Sequence, residues 1–144
     1  MKFLILTATA LMVVTTPAAA ETWNPFSRST ARIYLADTDS ISTSGAITTI
    51  RLASVPTGTP AGDLSHTRET YQFDCAGRKW RTAGSTEYNA AGAEDGTYPE
   101  EDGAWEPVRP RTLPDFLKQI ACDGSRSTAA TYPTIRAFIE AGRP

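Results

Sequence analysis

The sequence has only one histidine, His66, and only two cysteines, Cys75 and Cys122. That scarcity argues against a zinc site of the usual kind, which draws four ligands mainly from Cys and His. The motifs H-E-x-x-H, G-x-S-x-G and the P-loop are all missing. Ser65 and His66 are adjacent, and neighbouring side chains on an extended chain point apart, so their spacing does not support a catalytic triad. No C-x-x-C occurs, which argues against a thioredoxin-like redox site. Asp37-x-Asp39 starts like a calcium loop, but Ile41 and Ser42 stand where an oxygen ligand and the turn glycine belong. The chain is read as not an enzyme, with no cofactor and no metal, and His66 is expected on an exposed loop.

A strong excess of either charge is missing too. The 14 Lys and Arg nearly balance 16 Asp and Glu, which argues against a nucleic-acid binder, whose footprint is a basic excess. Beyond the N-terminus no apolar run approaches the roughly 20 residues of a membrane-spanning helix. No internal repeat is visible.

The N-terminus does carry a signal. Lys2 is the only charge before Glu21, Leu4 to Val14 is apolar, and Ala18-Ala19-Ala20 is a run of small residues. That order is a secretory signal peptide over residues 1–20. An uncleaved anchor is the rival reading, and the apolar run is short for it. No cysteine lies near the cut, so no lipid-anchor cysteine is expected. Cleavage after Ala20 leaves 124 of the 144 residues, read as one domain over 21–144 in the periplasm or outside the cell. In an exported chain two thiols form a bridge, here Cys75 to Cys122.

Short strands with period-two patterning follow. Ile33 and Leu35 alternate with Arg32 and Tyr34, and Ile50 and Leu52 alternate with Arg51. Asp37 to Gly45, between them, is rich in turn formers and reads as a loop, as does Pro56 to Gly62. Tyr34 lies on the polar parity of its strand, so exposure and cover are both open for it.

The segment 69–81, ETYQFDCAGRKWR, reads as a hairpin turning at Ala76-Gly77. That register sets Phe73 opposite Trp80 and puts Tyr71, Phe73 and Cys75 on one face. Tyr88 to Gly103 is expected to be a mobile acidic loop, and Ala104 to Val108 a last edge strand limited by Pro107.

A helix is predicted over 112–122. It opens with the capping signature Thr112-x-x-Asp115 and Pro114, repeats Leu113, Phe116, Leu117 and Ile120 along one side, and stops at Asp123-Gly124. A weaker helix runs from about Pro133 to Ala141, with Ile135, Phe138 and Ile139 on one side.

The residues Trp23, Asp37-Thr38-Asp39-Ser40-Ile41, Tyr71-Gln72-Phe73-Asp74-Cys75, Arg78-Lys79-Trp80-Arg81, Trp105, Val108 and Pro110, followed by a helix ending in Cys122, resemble the surface-adhesin protein E-like family over about 22–123. The resemblance implies an α+β fold: an antiparallel β-sheet meander backed by a C-terminal helix, with a disulfide between them. Residues 125–144 form a helical extension beyond the pattern. The family's founding member is an outer-membrane adhesin that binds host matrix and plasma proteins and can dimerise. The implied function is a small exported binding module with a protein or an acidic polysaccharide as ligand, and a homodimer is within its scope. The alternative is a periplasmic inhibitor or accessory protein of a cell-envelope enzyme. For the ligand, Gly77-Arg78-Lys79-Trp80-Arg81 has the basic order x-B-B-x-B, and Arg78, Lys79 and Arg81 are the candidate binding residues. Arg109 and Arg111 extend this patch if the last strand lies alongside.

Overall fold

A computed structural model describes residues 19–144. The predicted signal peptide's charged and apolar regions lie outside the described residues.

Strands β1 (Trp23–Arg28), β2 (Arg32–Ser44), β3 (Ile47–Pro56), β4 (His66–Asp74), β5 (Lys79–Tyr88) and β6 (Glu94–Pro99) pair in chain order. Every pairing is antiparallel, so the sheet is the expected meander. A two-residue strand, β7 (Glu106–Pro107), pairs with the start of β5 on the same side as β6. Helices α1 (Leu113–Asp123) and α2 (Ile135–Glu140) complete the fold.

Alternation along β2 and β3 divides the core into two layers. Ala36, Ile50, Leu52, Tyr71 and Phe73 pack with Leu117 and Ile120 of α1. Ile33, Leu35, Ala53 and Val55 point the other way and pack with Ile135, Phe138 and Ile139 of α2. The sheet therefore has one helix on each face, and residues 125–144 form a layer of the fold. Tyr34 packs against the α1 layer and is half-buried, which answers the open question of its cover.

The hairpin register is the predicted one, with Phe73 opposite Trp80 and Asp74 opposite Lys79. Cys75 and Cys122 are bonded at a Cα–Cα distance of 5.8 Å, tying α1 to the end of β4. Both helices lie where the periodicity places them, but the capping of α1 differs. Thr112 makes no side-chain cap bond, and its hydroxyl donates to the Arg109 carbonyl at 2.7 Å. Asp115 accepts the backbone N–H of Arg111 at 3.0 Å instead. Phe116, predicted on the apolar side, is 42 % exposed, and Lys118 is buried in its stead.

Three loop expectations are corrected. Asp37 to Gly45 is strand as far as Ser44, and the turn is confined to Gly45 and Ala46. The register shift between Asp37 and Ser42 absorbs the polar run. There the Ser40 hydroxyl accepts the Arg51 N–H at 2.8 Å and donates to the Asp37 carbonyl at 2.7 Å, so it replaces a ladder partner. Within Tyr88 to Gly103, Glu94–Pro99 form β6, preceded by a turn in which the Asn89 side chain accepts from Ala91 and Ala93. Its acids mark a sheet edge, where charge guards against pairing with other chains. His66, expected on an exposed loop, begins β4 and is buried.

The C-terminal segment also closes the opposite edge. Trp23 and Tyr132 exchange both backbone hydrogen bonds at 2.9 Å. Arg143 sits buried, donating to Thr59, Pro60 and Asp63, and so fastens the Pro56–Gly62 loop to the end of α2.

Candidate functional site

Each face of the sheet has a helix, but α2 is only six residues long and packs over the β1–β3 side. On the same face, β4 to β6 carry polar side chains. By alternation, His66, Arg68, Thr70 and Gln72 of β4 share this face, since Tyr71 and Phe73 point to α1. The pairings bring Arg81 beside Gln72, Thr86 beside Arg68 and Tyr88 beside His66. Arg51 of β3 stands opposite Thr70. A cleft of about 290 Å3 opens here, lined by Arg51, Arg68, Thr70, Thr86, Tyr88 and Thr97 among others. A second cleft of about 230 Å3 adjoins it, sharing Arg68 and Tyr88 and adding His66 and Arg136.

Electrostatics organise this face. The Asp37 carboxylate is fully buried and accepts from Arg51 through Nε at 3.0 Å and Nη2 at 2.5 Å. Both donors converge on Oδ2, while Oδ1 accepts the Thr22 and Asp39 N–H groups, and these bonds together offset the cost of burying the carboxylate. Arg68 donates to Glu21 Oε1 at 2.9 Å and lies over two rings, 5.3 Å from the Trp23 centroid and 5.0 Å from that of Tyr88. Such cation–π contacts hold a guanidinium in one place without neutralising it. His66 stacks on Tyr88 with centroids 4.3 Å apart. Its Nδ1 lies 2.8 Å from the Leu64 carbonyl, and Arg68 Nε points at its Nε2 at 3.4 Å. These partners assign the neutral tautomer with the proton on Nδ1. Burial pushes the His66 pKa down, Arg68 adds to this, and the Leu64 bond opposes it. Tyr88 is pushed up, first by burial.

The three basic residues singled out from sequence divide between the two sides of the hairpin. Lys79 and Arg81 point to the open face, continuing the line of Arg68 and Arg51. Arg81 is held there by Gln72 Oε1 at 2.8 Å and by the Trp105 ring at 4.7 Å. Arg78 sits in the turn with φ of 52° and reaches toward α1, 3.9 Å from Asp115. Arg109 does lie alongside the hairpin, since the residue before it, Val108, directly follows β7 and donates its N–H to the Arg78 carbonyl. It lines a separate cleft over Trp80 on the α1 side. Sequence reasoning missed Arg51 and Arg68, which lie 17 positions apart on different strands. Strand parity alone would have placed Arg68 with Lys79 and Arg81 once the hairpin register was known. No group of three or more His, Cys, Asp or Glu side chains is arranged to hold a metal among the described residues.

The family model for surface-adhesin protein E matches residues 23–123. The chain belongs to the surface-adhesin protein E family. The match spans the sheet, both cysteines and α1, and ends just before the segment that carries α2. No curated protein and no solved structure matches the chain. Membership favours a surface binding role over catalysis, and the disulfide accords with an oxidising compartment. No helix among the described residues is long and apolar enough to cross a membrane.

Proposed function

We propose that this member of the surface-adhesin protein E family is an exported binding module, not an enzyme, and that its ligand docks on the open face of β4–β6. The observation that carries this reading is the run of cations on that face. Lys79, Arg81, Arg51 and Arg68 follow one another across three strands beside a hydroxyl-lined cleft. Arg51 and Arg68 are paired with Asp37 and Glu21, so Lys79 and Arg81 carry the excess positive charge. A row of basic side chains on a sheet face suits an extended anion, and an acidic polysaccharide is the fitting class. Arg78, which reaches toward Asp115 of α1, lies off this row. Export follows cleavage after Ala20, which makes Glu21 the first residue of the mature protein.

The test is retention on immobilised heparin under a rising salt gradient. Wild type is retained at low salt and released as salt rises, because screening shortens the reach of exposed charge. Lys79→Ala with Arg81→Ala removes retention and leaves the fold intact. Wild type eluting with an acidic control protein at low salt contradicts the reading.

A further inference from the structure

Resting on that reading, we infer that Arg68, with Arg51 behind it, forms a carboxylate subsite for a uronic-acid unit, and that Glu21 occupies this subsite in the free protein. Glu21 already shows what the site accepts. Its carboxylate lies 2.9 Å from Arg68 Nη1 and 3.7 Å from Arg51 Nη2. The two acids of the cluster differ in kind. Asp37 is fully buried and takes both prongs of Arg51, so it is a fixed part of the fold. Glu21 comes from the chain segment before β1 and keeps 18 % of its side-chain surface exposed. The backbone beyond it is anchored, since the Thr22 N–H donates to Asp37 Oδ1 at 3.1 Å. The Glu21 side chain is what moves for an incoming carboxylate, which must then also accept from Trp23 Nε1, now bonded to Glu21 Oε2 at 2.8 Å.

Exchange of one carboxylate for another is close to neutral at Arg68 itself. The gain for a ligand comes from groups that Glu21 does not reach. Thr70, Thr86 and Thr97 line the cleft, with the Thr86 and Thr97 hydroxyls 3.4 Å apart, and Tyr88 supplies an aromatic wall. Hydroxyls and a ring edge match the hydroxyls and apolar ring faces of a sugar. An acidic peptide fits less well. The backbone of β4 is paired on both sides, so a peptide lying on this face cannot add a strand.

The experiment is isothermal titration of the mature protein with polygalacturonate, comparing wild type with Glu21→Gln, Arg68→Gln and the double variant. Glutamine at 21 keeps an oxygen for Trp23 Nε1, which donates to Glu21 Oε2 at 2.8 Å. Removing the resident charge tightens binding roughly fivefold, the scale of a partly exposed ion pair. Arg68→Gln weakens binding, and in the double variant the gain disappears. Thermal melts confirm that each variant is folded. Unchanged or weaker binding by Glu21→Gln overturns the inference and leaves Glu21 a structural clamp. Tighter binding of polyglutamate than of polygalacturonate overturns the choice of saccharide. Heparin retention that depends on Lys79 and Arg81, with no response to polygalacturonate, refutes this subsite alone. Loss of both refutes the open-face reading as well.

Discussion

Arg68 reaches back across 47 positions of sequence to meet the carboxylate of Glu21 at 2.9 Å. This contact joins the start of the described fold to the middle of its sheet. It also places a held cation at the junction of two clefts. The same guanidinium lies over Trp23, a core residue, and over Tyr88, a cleft residue. One side chain therefore serves the core and, on the proposed reading, the ligand.

Replacing Cys75 with Ser, together with Cys122→Ser, is expected to destabilise the protein by about 2–5 kcal/mol, the usual range for losing the disulfide of a small domain. The bridge closes a 47-residue separation and ties α1 to the sheet. Chemical denaturation of the reduced and oxidised forms measures it. An unchanged midpoint would show that the α1 layer holds without the bond.

Phe138→Ala is expected to cost about 3–5 kcal/mol, the usual range for emptying a buried aromatic site. Phe138 is fully buried and meets Tyr132 edge to face at 5.2 Å. Urea melts of this variant test whether α2, beyond the family match, is a working layer of the fold. A loss below about 1 kcal/mol would mean that it is only an appendage.

The pH dependence of stability contains two opposing contributions. Burial holds the His66 pKa below its ordinary 6.5, so the unfolded chain binds the proton first. The stability that comes from keeping His66 neutral is complete above about pH 6.5 and declines as pH falls toward the folded value. Burial raises the Glu69 pKa above its ordinary 4.5, so the folded form holds the proton first. Acidification through that raised value adds stability. Melting temperatures from pH 7 to 5 should fall more steeply in Glu69→Gln than in wild type. They should flatten in His66→Asn. Parallel curves for all three proteins would contradict these assignments.

Much of this architecture is legible in the residues. The Ala76-Gly77 turn sets the hairpin register because one shift would move Phe73 and Trp80 out of the core. The helix over 113–123 shows through its apolar spacing and its Gly124 stop. Ser40 is misread because a hydroxyl that can form a turn can equally stand in for a ladder partner. The acids of β6 are misread because solvation and edge protection use the same residues. Half of the candidate site is hidden for a different reason. Arg51 and Arg68 converge only through β3–β4 pairing, and nothing local to either residue marks the other.

The most direct test of the central claim is amide chemical-shift mapping during titration of the mature protein with a heparin fragment. A ligand on the open face should shift amides of residues 68–72 and 79–88 together, with little change along α1. Shifts confined to α1, Phe116 and the Arg109 cleft, or no shifts at saturating ligand, would contradict it.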